Sequence, residues 1–369
     1  MHNAVLKQTD DYSFRKRFEI KLQDDEGETL TSGALTLIKA SYGDGFIDAL
    51  CFGAVATPMK HRRKGYVREL FDFSFKWGIE NGAIISVLHP FSFSYYEKFG
   101  YGKVSDHRIV RLPIRLLDTV PRCSDLERLN DSSDDLEEIY ALHNEFCKGR
   151  QLMMLYSDPN YFAGKDLWAF RENGKITGYV TVTSSKRLEI NHYEDGLLTV
   201  HNIVYKTPTA LRSLLGFIRM FEGELDEVEF ANLSVCPEVE TYLRHDTHTK
   251  YRLLPDLMVR VLDTEKLLKS FKYPKEEGSF ILRVEDSLPT VCGVFSVKYG
   301  NHTCETQRLD ESSAADITLS APVFSRFAFG YDRLTAEQAR FCDGISINGN
   351  AEDFFRAFSH RPAGMFEHF

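Results

Sequence analysis

Residues 54–67 read AVATPMKHRRKGYV, and this stretch decides the fold of the first part of the chain. An apolar strand ends in it, a cationic turn with one glycine follows, and a helix begins. The helix is predicted over residues 66–80, because its apolar side chains fall at helical spacing and Asn81-Gly82 supplies a stop signal. At such a junction the unbonded N–H groups of the first helical turn and the positive end of the helix dipole converge. The stretch therefore predicts an anion-binding site suited to a pyrophosphate.

The same stretch has a simpler interpretation, which is a solvated basic turn that only caps the helix. The residues in question are Arg62, Arg63 and Lys64. Short clusters of Arg and Lys are common on protein surfaces, so the spacing alone leaves both interpretations open.

Apolar patterns on both sides of this stretch predict an α/β layer. Strands are predicted at residues 14–22, 30–40 and 46–56, with turn residues between them. After the helix, the apolar run 83–88 predicts a buried strand, and residues 91–99 predict a short helix. This order of strands, helix, strand and helix is typical of an α/β layer rather than a helical bundle.

The same order of elements occurs a second time along the chain. Strands are predicted at residues 166–170, 176–184, 187–193 and 197–205, a helix at 208–222 and a strand at 227–233. Between strand and helix the first copy has the cationic residues 60–65, whereas the second copy has only Lys206-Thr207-Pro208-Thr209. Only the first copy is therefore predicted to carry the anion-binding site.

Two polar stretches, residues 118–135 and 263–278, divide the chain into three predicted domains. The first domain is residues 1–120 and the second is 121–262. The third, residues 263–369, alternates strands and helices in an order that differs from the other two. The predicted fold class is α/β and α+β, with two related domains followed by a separate α+β domain.

Composition and charge argue against several classes of protein. The chain of 369 residues has 45 Lys+Arg and 54 Asp+Glu, a net charge of −9, which argues against binding nucleic acid. Its 7 cysteines are scattered and odd in number, as expected for reduced thiols of a cytoplasmic protein. The sequence has no apolar run near the roughly 20 residues of a membrane span, and no metal-ligand spacing of Cys and His. We therefore expect neither a membrane nor a metal as partner.

Three motifs together resemble a known family. Residues 62–67 are similar to the R-x-x-G-x-[GA] loop of the GNAT superfamily of N-acetyltransferases, with Val67 in place of the last small residue. Residues 89–102 read HPFSFSYYEKFGYG, and residues 362–369 read PAGMFEHF. With the three-domain layout, these motifs resemble the Eis-type N-acetyltransferases over roughly residues 28–369. The resemblance implies an active GNAT domain, a degenerate GNAT domain and a sterol-carrier-protein-like domain, with the C-terminus threading back into the active site.

The resemblance also implies the roles of individual residues. The co-substrate would be acetyl-CoA, and the implied cofactor-binding residues are Val55, Ala56, Thr57, Arg62, Arg63, Lys64, Gly65, Tyr66 and Val67. The loop would hold the pyrophosphate, and the backbone of residues 55–57 would pair with the pantetheine arm. Tyr96 takes the general-acid position, and the main-chain carboxylate of Phe369 takes the proton-accepting role. The expected acceptor is a primary amine such as an aminoglycoside, a polyamine or lysine, and the expected assembly is a homo-oligomer, a closed hexameric ring.

These interpretations have alternatives. Tyr96 also fits a core aromatic, Phe369 also fits a disordered tail, and His61 and His89 are expected to pack or cap rather than catalyse. A lipid-binding carrier is a second hypothesis, and it needs an open apolar tunnel among the third domain's phenylalanines, Phe280, Phe295, Phe324, Phe327 and Phe329. A catalytically silent CoA-binding pseudoenzyme is a third, because only residues 1–13 stand where the family has a first strand and two helices that line the acceptor cleft.

Overall fold

The computed structural model describes residues 2–12, 14–129, 135–156, 161–185, 188–189, 192–193 and 196–366. Across these residues the chain forms two seven-stranded sheets, a five-stranded sheet and a two-stranded ribbon. The strands are β1 (Asn3–Tyr12), β2 (Arg15–Gln23), β3 (Thr29–Tyr42), β4 (Gly45–Ala56), β5 (Ile85–Leu88), β6 (Gly102–Lys103), β7 (Asp106–Pro113), β8 (Leu126–Leu129), β9 (Asp166–Glu172), β10 (Lys175–Ser185), β11 (Leu188–Glu189), β12 (His192–Tyr193), β13 (Leu197–Tyr205), β14 (Glu227–Phe230), β15 (Lys250–Pro255), β16 (Met258–Val261), β17 (Gly278–Glu285), β18 (Gly293–Gly300), β19 (Thr303–Leu309), β20 (Ile317–Ser320) and β21 (Ile345–Ile347). The α-helices are α1 (Tyr66–Glu80), α2 (Phe93–Glu97), α3 (Leu136–Phe146), α4 (Pro208–Arg219), α5 (Thr264–Ser270), α6 (Ala321–Ala328), α7 (Ala336–Ala339) and α8 (Glu352–Ala357).

The first sheet has the strand order β1-β2-β3-β4-β5-β16-β6. Strands β1 to β4 form an antiparallel meander, and β5 pairs in parallel with β4. Helix α1 makes the crossover that a parallel pair requires. Its apolar face packs on the sheet, where the rings of Phe71 and Phe52 stack with their centroids 4.3 Å apart. The helix occupies the residues predicted for it, Tyr66–Glu80.

Strand β1 lies outside the strands predicted from the sequence. Its residues are exposed or half-buried along their whole length, so the alternation that marks a half-buried strand is weak. The strand leads directly into β2, with Tyr12 opposite Arg15. Residues 1–13, which stand where the family pattern has a first strand and two helices, thus contain a strand, and no helix lies between β1 and β2 among the described residues.

The second sheet has the strand order β15-β7-β14-β13-β10-β9-β8. Strands β9, β10 and β13 are antiparallel, and β14 pairs in parallel with β13 after the crossover helix α4. This arrangement repeats that of β2 to β5 with α1, as the order of elements predicts. Part of the strand predicted at residues 187–193 falls outside the described residues, which place the ribbon β11–β12 there.

The two large sheets exchange strands with each other. Strand β7 follows the first copy in sequence but lies in the second sheet, antiparallel to β14. Strand β16 follows the second copy but lies in the first sheet, antiparallel to β5. The predicted domain limits at residues 120 and 262 stay a prediction. Both seven-stranded sheets contain strands from either side of residue 120, whereas no sheet extends across residue 262 in the described chain.

The third sheet, of order β19-β18-β17-β20-β21, packs against the first. The phenylalanines that a lipid tunnel would need are at most 2% exposed: Phe280, Phe295, Phe324, Phe327 and Phe329. They belong to one core cluster that also contains Ile38 and Val87 of the first sheet. In the described chain these side chains therefore pack as a core. None of the helices described here is long and apolar enough to cross a membrane.

Candidate active site

The parallel ladder between β4 and β5 is short. Its last pair joins Cys51 to Val87, whereas β4 itself continues to Ala56. Beyond that pair, β4 has no ladder partner on its β5 side among the residues that the structure describes. The end of β4 is thus an edge with which another extended chain can pair.

A β-bulge lies next to this edge. The register between β3 and β4 shifts between Gly53 and Ala56, and Ala54 has a φ of 50°, in the left-handed region. A bulge locally disrupts the ladder and re-aims the backbone, and bulges are common beside active sites. The bulge therefore makes β4 irregular at the point where it leaves the sheet.

A cavity of about 660 Å³ opens between the end of β4 and the start of α1. Its lining contains all the residues predicted to bind the cofactor, which are Val55, Ala56, Thr57, Arg62, Arg63, Lys64, Gly65, Tyr66 and Val67. The lining also contains His61, Arg68, Phe91, Tyr95, Lys98 and Phe99. The strand edge, the cationic loop and the helix start therefore form one concave surface.

The additional lining residues extend both the charge and the apolar area of the cavity. Arg68 and Lys98 are cations, and the Arg68 guanidinium lies 5.0 Å from the centre of the Phe99 ring. The Phe91 side chain is 76% exposed, an unusual position for a large aromatic residue. The 89–102 motif contains four of these lining residues, but the sequence alone does not show which residues of the motif face the cavity.

Glu28 holds the cationic loop, residues 60–65, in place. The Glu28 carboxylate bonds to Lys60, and its Oε1 lies 2.9 Å from Nε2 of His61. The hydrogen bond from Lys60 and then that from His61 hold the pKa of Glu28 below its usual value. The Nε of Arg62 donates to the carbonyl of Thr57 at 3.1 Å, which closes the loop on itself. These bonds place Arg63 and Lys64, both exposed, at the rim.

The start of α1 has the geometry of an anion site. Gly65 has a φ of 90°, which a residue with a side chain rarely adopts, and Arg63 has a φ of 64°. The first helical bonds run from the N–H groups of Arg68, at 2.8 Å, and Glu69 to the Gly65 carbonyl. The N–H groups of residues 66 and 67 precede these bonds and so remain available to a ligand at the helix N-terminus.

Tyr96 and Tyr95 are neighbours on α2 and have different surroundings. Tyr95 lines the cavity, whereas Tyr96 is 5% exposed and is not among the lining residues. The Tyr96 ring lies 5.3 Å from that of Phe91 and 5.2 Å from that of Tyr95. Burial, with a smaller effect of Tyr95, raises the pKa of Tyr96 to about 12. The residue predicted as general acid is thus packed directly behind the cavity wall.

Both histidines noted in the sequence bond to carboxylates, His61 to Glu28 as described above. His89 follows β5, and its Nδ1 lies 3.1 Å from Oδ1 of the buried Asp256. The other oxygen of Asp256 accepts a hydrogen bond from the Ser105 hydroxyl at 3.3 Å. Among the residues described, no group of three or more His, Cys, Asp or Glu side chains is arranged to hold a metal ion.

The end of the described chain runs in the direction of β4. Residues 152–155 pair with β3 in antiparallel fashion and therefore run parallel to β4. Ala363 forms a parallel bridge with Gln151, so the tail takes the same direction. Phe369 lies outside the described residues, so its catalytic role stays a prediction.

The comparisons with known proteins agree with this geometry. Residues 8–104 match the family model of the acetyltransferase (GNAT) domain, a range that runs from β1 past β6 and includes the whole cationic loop and Tyr96. Over these residues the chain is therefore similar to GNAT acetyltransferase domains. The sequence matches no curated protein.

Solved structures share the fold over almost the whole chain. A GCN5-related N-acetyltransferase from Anabaena variabilis ATCC 29413 has a TM-score of 0.80 and 17% identity, over 95% of this chain and 89% of its own. A probable N-acyltransferase from Enterococcus faecalis V583, described as a conserved protein of unknown function, has a TM-score of 0.78 and 16% identity, over 97% of this chain and 90% of its own. Eis1 from Mycobacterium abscessus has a TM-score of 0.77 and 14% identity, over 95% of this chain and 91% of its own. At these identities the likeness concerns the fold, and with the family match it supports an acyltransferase.

Proposed function

We propose that the chain is an N-acetyltransferase that moves an acetyl group from acetyl-CoA to a primary amine. The observation that carries the proposal is the cavity in which the β4 edge, the cationic loop and the N-terminus of α1 meet. It lies in the part of the chain that matches the GNAT domain. The second copy has no counterpart of the cationic loop.

The lining residues fit the chemical groups of acetyl-CoA. Arg62, Arg63 and Lys64 supply positive charge, and the helix start supplies N–H groups, for a pyrophosphate. The pantetheine arm carries amide groups, which can pair with the edge of β4 at residues 55–57 as an added strand does. At the corresponding helix start of the second copy, Thr207 already accepts the hydrogen bond of the Ala210 N–H, at 3.0 Å. This difference supports one working site in the chain and a degenerate second GNAT domain.

The reaction needs no covalent enzyme intermediate. The amine nitrogen bonds to the thioester carbonyl carbon, the C–S bond breaks, the nitrogen loses a proton and the thiolate gains one. A backbone N–H of the β4 bulge region would polarise the thioester carbonyl. Positioning of the two reactants then contributes much of the rate.

Tyr96 is proposed to protonate the departing thiolate. Its pKa of about 12 lies above the roughly 8.5 of a thiol, so proton transfer is uphill by several kcal/mol in the ground state. The phenol must therefore donate a hydrogen bond first and its proton only as charge develops on sulfur.

The main-chain carboxylate of Phe369 is proposed to orient the amine. A chain-terminal carboxylate with a pKa of about 3.5 facing an ammonium of about 10.4 is mismatched by roughly 7 units, or about 9 kcal/mol. Orienting the amine, while a water relays the proton, requires a smaller shift of the carboxylate's pKa than direct deprotonation does.

The hexameric ring and the cytoplasmic location stay predictions that rest on the resemblance and the composition.

A thiol-release assay with acetyl-CoA across a panel of primary amines tests the function, with mass spectrometry of the products and calorimetry with CoA alongside. Free thiol together with an acetylated amine supports the proposal. CoA binding without thiol release from any amine supports the pseudoenzyme. A co-purifying lipid in a protein that does not bind CoA supports the carrier.

A further inference from the structure

A second cavity, of about 530 Å³, adjoins the β4 bulge. Residues of β1, β2 and β3 line it, and Ala54 of the bulge completes the wall. Val55 and Ala56, the next residues of β4, line the cofactor cavity, so both cavities border the bulge region, although they share no lining residue. A thioester held at the bulge would therefore be bordered by this second cavity.

The second cavity opens mainly on the face of the first sheet opposite α1. The α1 face carries Ile20 and Leu35, which belong to the core cluster around that helix. Their strand neighbours Glu19 and Ala34 are paired across β2 and β3 and, because side chains alternate along a strand, point to the other face. An amine arriving there would approach the thioester from the side opposite the helix.

The charged side chains of this cavity are balanced in sign. Asp10 of β1 lies directly across the strand pair from Arg17 of β2, and Glu19 and Lys21 follow Arg17 on the same face. Along β2 the Glu19 carboxylate thus stands between the cations of Arg17 and Lys21 at i,i+2 spacing. The small residues 32–34 form the floor of the cavity, and the charged side chains surround it.

Resting on the proposed function, we propose that this cavity is the acceptor site and that the acceptor is a small zwitterion, an amino acid that carries both a primary amine and a carboxylate. Asp10 and Glu19 attract the ammonium end, and Arg17 and Lys21 attract the carboxylate. A polyamine or an aminoglycoside has no group that complements the two cations and is repelled by them. The net charge of −9 attracts cationic acceptors only at long range. Once an acceptor is bound, the charged side chains beside the bulge determine which acceptor binds more tightly.

The test compares three acceptors of matched length: lysine, 1,5-diaminopentane, which lacks only the carboxylate, and 6-aminohexanoate, which keeps the carboxylate and one amine. We expect kcat/KM for lysine and 6-aminohexanoate to exceed that for the diamine by at least tenfold. We expect Arg17→Ala to lower kcat/KM for the two carboxylate-bearing acceptors by about 5- to 20-fold and to change the diamine by less than twofold. Arg17→Lys, which keeps the charge, should restore most of the loss.

Lys16→Ala supplies the matched control, because Lys16 is an exposed cation on the same strand and does not line the cavity. The melting temperature of each variant shows whether the β1–β2 hairpin is intact, and its acetyl-CoA affinity shows whether the cofactor cavity is intact. A preference for the diamine, or equal losses in Arg17→Ala and Lys16→Ala, overturns the inference while the transferase function stands. Absence of thiol release with every amine in the unmodified protein defeats the proposed function, and the inference with it.

Discussion

The guanidinium of Arg260 lies 2.7 Å from the carboxylate of Asp286, and neither side chain is more than 5% exposed. Arg260 belongs to the exchanged strand β16, and it also donates to the carbonyl of Phe99 within the 89–102 motif. Gly100 has a φ of 82°, and a Cβ on it would meet the Arg260 guanidinium, so glycine is required there. One buried ion pair thus joins the motif behind the cavity to the third sheet.

Asp286→Ala should lower the free energy of unfolding by about 3–5 kcal/mol, because it leaves a buried guanidinium without its partner. Urea unfolding followed by circular dichroism measures the loss. The control is Lys272→Ala, which removes a half-exposed pair with Asp44 and should cost less than about 1 kcal/mol. Similar losses in both variants would mean that burial of the pair does not matter.

Arg62→Ala and Arg63→Ala should each weaken CoA binding by removing charge-assisted hydrogen bonds to the pyrophosphate, worth about 1.5–3 kcal/mol. Isothermal titration calorimetry gives the change in affinity. Lys206→Ala, at the equivalent junction of the second copy, should leave the affinity unchanged. Unaltered binding in both arginine variants would place the pyrophosphate elsewhere.

Tyr96→Phe should lower kcat by at least tenfold and leave CoA affinity nearly unchanged, because it removes a proton donor and keeps the packed ring. Tyr95→Phe is the matched comparison, since Tyr95 lines the cavity and Tyr96 does not. Steady-state kinetics of both variants assign the role. If Tyr95→Phe loses the turnover and Tyr96→Phe keeps it, the general acid is the cavity-lining tyrosine.

Deleting Phe369, or extending the chain with a C-terminal tag, should abolish transfer because the terminal carboxylate is displaced. The melting temperature and the CoA affinity should stay within error of the unmodified protein, which separates a catalytic loss from unfolding. Full activity in the tagged protein would remove the terminus from the mechanism.

Stability should fall as the pH drops below about 6.5, with His143 as one cause. Its Nδ1 lies 2.9 Å from the Tyr179 hydroxyl and its Nε2 lies 3.1 Å from the Met154 carbonyl, and the side chain is buried. Burial lowers the pKa of His143 to about 3 in the folded state. In the unfolded chain the pKa is about 6.5, so between these values only the unfolded state takes up the proton, at about 1.4 kcal/mol per pH unit.

His143→Gln removes this titration and should flatten the dependence of unfolding free energy on pH, although the variant is less stable at pH 7. Denaturant unfolding of both proteins at pH 7, 6 and 5 gives the difference in slope. Parallel curves would show that His143 does not titrate on unfolding.

The sequence predicts those features whose signal is local. Helix α1 matches its prediction because an apolar face, a glycine at its start and an Asn-Gly stop act within one segment. The residues predicted to bind the cofactor are also local, since one strand, one loop and one helix turn contain them all. Strand β1 escapes prediction because it is largely exposed and therefore lacks a clear alternating pattern.

Other features depend on contacts between distant segments. Nothing local in β7 or β16 indicates that each pairs in the sheet of the other copy. The choice between Tyr95 and Tyr96 depends on a rotation of about 100° along a helix, which a motif cannot resolve. The charges beside the bulge come from strands joined by pairing, so their balance is visible only once Asp10 is placed opposite Arg17.

Because β7 lies in the second sheet and β16 in the first, each of the two copies supplies a strand to the sheet of the other. Without residues 258–261, β5 would lose a hydrogen-bonding neighbour and expose a hydrophobic edge to aggregation. The second copy therefore supplies a strand that completes the sheet of the first, whether or not it binds a ligand of its own. Separate expression of either copy is therefore expected to give an incomplete sheet.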